Sequence, residues 1–180
     1  MNFFDVVDNR HSYRGGFMDQ PVPRKDLLKI VDAGVKAPSG KNEQTTRFVI
    51  IDDPGILEEI NKMHPSNKAM QQAKAIICCI VDKEPKKIYE GFDFVVEDCA
   101  AAVENMLLAI TALGYASVWI DGWIRVEGRA ETIGQLIGVP GDKIVRVVLP
   151  LGIPEEAVVQ VREKMPWEER AWFNQFENSI

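Results

Sequence analysis

The sequence is poor in histidine and cysteine, and it holds no apolar stretch of membrane-spanning length. Two histidines in 180 residues cannot build a histidine-rich metal site. Three cysteines, two of them adjacent, do not make a disulfide framework, and unpaired thiols fit the reducing cytoplasm. The longest apolar runs, AIICCIV at 75–81 and AAVENMLLAI at 101–110, are too short or too interrupted to cross a bilayer. The start, MNFFDVVDNRHSYR, has no basic stretch followed by a long apolar one, so no signal peptide is expected. Lys plus Arg is 21 against 27 Asp plus Glu, a net charge of -6, which argues against broad binding to nucleic acid or anionic lipid.

Several catalytic signatures are missing too. There is no G-x-G-x-x-G after a strand and no complete phosphate loop; Pro38-Ser39-Gly40-Lys41 matches only a fragment of one. H-E-x-x-H, C-x-x-C and G-x-S-x-G are all absent, which excludes zincin, dithiol and serine-triad readings. His64 stands alone in a polar stretch and reads as an ordinary surface histidine.

What is present is an ordinary globular composition, 46% hydrophobic and 27% charged. No linker, repeat or low-complexity segment divides it, so a single domain over 1–180 is expected, with 155–180 as a C-terminal extension. The apolar spacing predicts helices over Asn2–Asn9, Arg24–Lys36, Asp93–Leu113 and Arg129–Ile137. Asp53-Pro54 reads as the start of another helix. Strands are predicted over Arg47–Asp52, Ala75–Val81, Ala116–Asp121 and Lys143–Leu151. The second is apolar throughout, as a strand covered on both faces would be, with Cys78 and Cys79 acting as small hydrophobes. The long helix is apolar around much of its girth, and Ala100, Ala101 and Ala102 give it a smooth side for a close neighbour or a subunit interface. The tail from Glu155 carries Trp167, Trp172, Phe173 and Phe176 among charges. Those aromatics need a surface, which is either their own core, through an amphipathic helix, or a partner.

Four clusters could carry chemistry. Arg10-His11-Ser12-Tyr13-Arg14 puts two guanidiniums and a hydroxyl in one short loop, a donor set suited to a phosphate bearing hydroxyls. By itself it is a solvated basic loop, but it stands out in an acidic chain. Pro38-Ser39-Gly40-Lys41-Asn42-Glu43-Gln44 offers neutral donors and acceptors between a helix and a strand, and alone it is a turn. Trp119-Ile120-Asp121-Gly122 ends a strand, where glycine lets backbone N–H groups approach a ligand; Trp119 alone reads as core. Arg162 and Lys164 are two cations close enough to meet one phosphate, and alone they are surface charges.

The order of these pieces is more specific than any one of them. Arg-x-Ser-x-Arg is followed by Ala-Pro-Ser-Gly-x-Asn-x-Gln before a strand. Then come the long alanine-rich helix ending in Leu-Gly-Tyr, a strand with Trp-Ile, and Leu-Gly-Ile-Pro. From Phe3 to about Lys164 this resembles the nitroreductase family of flavin enzymes. The resemblance implies an α+β fold with a mixed, largely antiparallel sheet between helices. It also implies a homodimer holding noncovalent FMN at its interface, with the C-terminal extension reaching the partner.

The same resemblance implies roles. Arg10 matches the arginine on the FMN phosphate, Ser12 the hydroxyl near phosphate and ribityl, and His11 a mainly backbone contribution between them. Arg14 matches the cation facing the flavin N1 and O2 edge. Pro38, Ser39, Gly40, Asn42 and Gln44 match the loop reaching the cofactor from the second subunit. Trp119, Ile120, Asp121 and Gly122 match the stretch lying against the ring and donating to N5. Arg162 and Lys164 match a basic pair completing the phosphate site. No metal and no separate catalytic side chain is implied, because the hydride chemistry belongs to the flavin. The implied reaction is ping-pong transfer from NAD(P)H through FMN to a nitroaromatic or quinone. A flavin storage or sensor protein, or specialised flavin chemistry on the same fold, would carry the same motifs. Thr45-Thr46 departs from the Pro-Trp that many members carry there, and the short segment after Asp121 implies an open cleft.

Overall fold

The computed structural model describes residues 2–158 and 163–177. Six helices and four strands follow in the order α1 Phe3–Asn9, α2 Arg24–Val35, β1 Arg47–Ile51, α3 Pro54–Lys62, α4 Lys68–Gln71, β2 Ala75–Asp82, α5 Val95–Ala112, β3 Ala116–Ser117, α6 Arg129–Leu136 and β4 Lys143–Gly152. The sheet order is β1-β2-β4-β3, and all three pairings are antiparallel. The architecture is therefore α+β, with helices on both sides of an antiparallel sheet. The parallel component expected for a mixed sheet is not found among the described residues.

The apolar run in β2 explains its central place. Ile76, Cys78 and Ile80 enter one core, against α3, α4 and α6, while Ala75, Ile77, Cys79 and Val81 enter the other, against α2 and α5. A strand buried on both faces has no polar side to show, so it reads as continuous apolar sequence. On the α5 side, Gly34 of α2 lets the two helices approach closely. A Cβ there would lie 2.9 Å from Met106 Cγ and 3.4 Å from the Ala102 carbonyl oxygen. Ala102 thus belongs to the α2 contact. Val96 of α5 and Phe3, Phe4, Leu28 and Val35 of α1 and α2 remain exposed on this helical layer.

Local chemistry sets the helix starts. Asp53 caps α3 by accepting from the Gly55 and Ile56 N–H groups at 2.9 and 3.0 Å, with proline at the first turn. Asn2 and Asp5 form a reciprocal capping box on α1. The single turn of α4, capped by Asn67, is too short to show a sequence period.

One expectation is corrected. The strand foreseen over Ala116–Asp121 pairs only at Ala116 and Ser117, and Ile120 rejoins β4 by a single bridge to Val148. The register is unbroken, so the chain stays extended while the ladder opens at Val118 and Trp119. Of the two readings of the tail, an amphipathic helix on its own core is not found among the described residues. Over 163–177 it makes one short turn, and Met165, Trp167, Phe173 and Phe176 stay 55–78% exposed. Among the described residues, no helix is long and apolar enough to cross a membrane.

Candidate functional site

The Arg10–Arg14 loop follows directly from the end of α1. Its backbone is pinned to the sheet: the Tyr13 N–H donates to the Ser117 carbonyl at 2.9 Å. The buried Tyr13 ring points inward, and its hydroxyl donates to the Gly16 carbonyl at 2.7 Å. Alternation along this extended segment leaves Ser12 and Arg14 exposed. Among the described residues, Arg14 makes only a local bond to the Ser12 carbonyl, at 3.3 Å. Arg10 turns toward α5, with Nε 3.4 Å from a Glu104 oxygen. Next to it is a recess of about 150 Å³ lined by Arg10, His11, Leu107, Tyr115, Ser117 and Val158, among others. Both ring nitrogens of His11 and the Ser117 hydroxyl are buried there without a hydrogen-bond partner among the described residues. Buried polar atoms are rarely left unpaired, so this recess offers unmet hydrogen-bonding capacity beside a guanidinium.

The Pro38–Gln44 loop is shaped by its backbone. Lys41, Asn42 and Gln44 adopt left-handed conformations, at φ of 48°, 59° and 51°, and such non-glycine strain persists only where the surroundings hold it. Here they do. The buried Asp98 carboxylate of α5 accepts from the Gly40 N–H and the Thr45 hydroxyl, both at 2.8 Å. Ser39 Oγ accepts from the Gln44 N–H at 3.0 Å. Gly40 is required because a Cβ would lie 2.8 Å from the Phe94 ring. Pro38 and Asn42 are exposed. This loop does not line the Arg10 recess; with Thr46 and Ala102 it borders a separate one of about 150 Å³. Within one chain the two clusters stay apart.

The third cluster follows β3. Ile120 is buried, and Trp119 packs half-buried on the core beside α5, as the plain reading of that tryptophan held. Asp121 is already committed: Arg125 grips it at 2.5 and 2.8 Å, and Arg146 pairs with it too. Arg146 is the extra residue of a bulge, where the β2–β4 register slips between Cys79 opposite Val147 and Ile80 opposite Val145. Burial works to raise the Asp121 carboxyl, but the two guanidiniums overcome it and hold it below the ordinary carboxylate range. Gly122 is exposed, and its N–H has no partner among the described residues.

Lys164 is exposed, without an ion pair among the described residues, and Arg162 lies outside those described. The cysteines behave as core: burial pushes the Cys78 thiol up to about 12. A cleft of about 720 Å³ between Asp19, Leu57, Asn61 and Lys74 contains none of the anticipated residues. Its carboxylates Asp19 and Asp52 are neutralised by Lys74 and Arg24.

One residue was misjudged from sequence. His64 is half-buried and stacks on Trp123, centroids 4.4 Å apart and planes 13° apart, immediately after Gly122. Burial and the nearby Arg129 hold its pKa below the usual histidine value. No local motif could have shown this, because the two residues lie far apart in sequence.

Comparisons with known proteins point to one family. The sequence profile described as "Nitroreductase family" matches residues 7–64 and 57–153. A protein of Archaeoglobus fulgidus, provisionally named NADH dehydrogenase/NAD(P)H nitroreductase, is 34% identical over 151 residues, covering 84% of each chain. A similarly named protein of Methanothermobacter thermautotrophicus is 34% identical over 158 residues, covering 87% of this chain and 79% of its own. The crystal structure of a nitroreductase with bound FMN from Bacteroides fragilis superposes with a TM-score of 0.75 at 24% identity, covering 92% of this chain and 95% of that one. With the profile spanning most of the sequence and the fold shared, the chain belongs to the nitroreductase family.

Proposed function

We propose that this protein is an FMN-dependent oxidoreductase, a single domain that works as a homodimer and uses NAD(P)H as donor. The observation that carries the reading is the Arg10 recess: a guanidinium beside three buried polar atoms with no partner among the described residues. A phosphate with neighbouring hydroxyls is the chemistry that would satisfy them, so these residues fit FMN. When bound, FMN would supply the hydride chemistry for a ping-pong transfer from NAD(P)H to a nitroaromatic or quinone.

The chain's own residues divide the remaining work. Arg10 and Ser12 hold the phosphate end. The unpaired ring nitrogens of His11 give it a larger part than backbone alone. Arg14, free of any ion pair among the described residues, places a cation at the ring edge where negative charge develops on reduction. Asp121 is spent on Arg125 and Arg146, so its stretch contributes chiefly through the free Gly122 N–H toward N5. Trp119 supports that stretch from the core.

The second subunit is needed because the Pro38–Gln44 loop and the Arg10 recess do not meet within one chain. Supplying Pro38, Ser39, Gly40, Asn42 and Gln44 from the partner would complete the site. The exposed aromatics of 163–177 and the apolar side chains of α1, α2 and α5 are the surfaces a partner would cover. Lys164, with Arg162, would close the phosphate end. Visible absorption of the purified protein tests the cofactor. Anaerobic mixing with NADH and NADPH, followed by an acceptor panel, tests turnover; flavin that neither nicotinamide reduces would leave storage or sensing as the role.

A further inference from the structure

The turn after Asp121 is held from three sides. The Asp121 carbonyl accepts from the Ile124 N–H at 3.1 Å, and the Trp123 carbonyl accepts from Arg129 Nη1 at 2.9 Å. The Trp123 ring takes the remaining contacts: the Arg129 guanidinium lies 4.9 Å from its centroid, and the His64 imidazole stacks on it. His64 arrives from a different element, just past α3. Its own backbone is fixed there, its N–H donating to the Asn61 carbonyl at 3.3 Å and its carbonyl accepting from the Asn67 N–H at 3.2 Å. Ser66 Oγ lies 3.3 Å from its Nδ1. The stack therefore ties the α3–α4 connection to the turn that presents Gly122.

The geometry points to His64 as a positioning residue for that turn: the neutral imidazole, stacked on Trp123, holds the backbone carrying Gly122, and the protonated ring releases it. The inference rests on Gly122 facing the reactant site proposed above. The physical reason is charge. Trp123 already carries one cation on its ring, Arg129, and a second brought beside it is repelled. The other charged groups nearby do not compensate. Glu127 pairs with Arg129 itself, Lys62 is tied to Glu58 and Glu59, and Lys68 to Glu155. Burial of the ring acts in the same direction, since it disfavours the imidazolium.

With only two histidines in the chain, ring resonances are readily assigned by loss in His64→Gln. The test follows the His64 ring and the Gly122 and Trp123 backbone amides by NMR across pH, on the purified protein. The amides are expected to titrate with the ring's midpoint, below the ordinary histidine value of 6.5. The inflection should vanish in His64→Gln. His64→Phe, which keeps a stacking ring without a titrating group, should leave the amides flat in pH and at their high-pH positions.

In turnover, the KM for a simple benzoquinone should rise about two- to tenfold in His64→Gln, the worth of one aromatic pair. His64→Phe should restore it, and only the parent should lose affinity as pH falls through the ring's midpoint. A Gly122 amide that stays still while the ring titrates overturns the inference, as does a glutamine variant matching the parent in KM at every pH. Protein purified without FMN would sink the proposed function, yet the amide titration would still decide the coupling.

Discussion

The Arg10–Arg14 and Pro38–Gln44 loops both lean on α5, and they are built in opposite ways. The first has an ordinary extended backbone pinned at Tyr13, with Arg10 turned to Glu104 of α5 and Arg14 held only by a local bond among the described residues. The second spends its polar groups on holding a left-handed backbone, anchored through Gly40 and Thr45 on Asp98. One loop supplies charge and the other supplies shape. Their footholds, Asp98 and Glu104, are about 9 Å apart along the helix at 1.5 Å per residue. In the proposed homodimer, a ligand reached by both would be bridged by the second copy. The difference also says how each loop should fail: the first by loss of a charge, the second by loss of its anchor.

The largest expected effect is on the bridge between them. Removing residues from Met165 onward should strip the aromatics that would cover the partner in the proposed homodimer, and with them both the dimer and the flavin. Interfaces of this obligate kind bury more than about 2,000 Å² and leave no stable folded monomer. Light scattering with flavin occupancy on the same samples checks it; a truncated dimer retaining its full FMN would make the tail a passive surface segment.

Next comes the charge loop. Arg10→Ala should weaken FMN binding by roughly 1.5–3 kcal/mol, about ten- to hundredfold in Kd. Flavin fluorescence quenching at fixed salt measures it, and an unchanged Kd would take Arg10 out of the phosphate site.

The shape loop should respond to its anchor instead. Asp98→Ala leaves the Gly40 N–H and the Thr45 hydroxyl without their acceptor, costing about 1–3 kcal/mol of stability. A urea titration reads this. A stability equal to the parent's would mean that the strained backbone holds itself.

Arg14→Ala sharpens the contrast within the charge loop. It should retain FMN better than Arg10→Ala but lower the two-electron midpoint potential, with about 30 mV corresponding to about 1.4 kcal/mol. Spectroelectrochemistry decides, and an unshifted potential would move Arg14 away from the ring edge.

The smallest effect belongs to neither loop and serves as a control. The His64 pKa is lowered in the fold, so its contribution to stability is present above the unfolded value near 6.5 and is lost as pH falls through the lower folded value. Urea midpoints at pH 7.5 and below 6 should differ by a small amount that disappears in His64→Gln. A difference of the same size in the variant would assign it to other groups.

Most of the scaffold was legible because its signals are local. The both-faced burial of β2, the Asp53-Pro54 cap and the helical spacing of α2, α5 and α6 each depend on residues close together in sequence. The opened ladder at Val118 and Trp119 was not legible, since both residues keep the alternation of a strand while losing its hydrogen bonds. In the site, Arg10 and the Ser39–Asn42 loop stood out by residue type. Asp98, which holds that loop, and Arg146, which occupies Asp121, did not. A lone aspartate on a helix and an arginine within a strand become informative only when the fold says what lies opposite.

The sequence by itself determined the two-sided core, the helix boundaries set by caps and breakers, and the order of motifs that marks the family. All of these follow from periodicity and from short-range steric and hydrogen-bonding rules. Only the tertiary structure decided which side chains are spent and which are free. It gave Asp121 to two arginines, stacked His64 on Trp123, left His11 and Ser117 without a side-chain partner among the described residues beside Arg10, and kept the two loops apart on α5. Those outcomes depend on contacts between segments distant in sequence, where packing rather than local preference sets each side chain's partner.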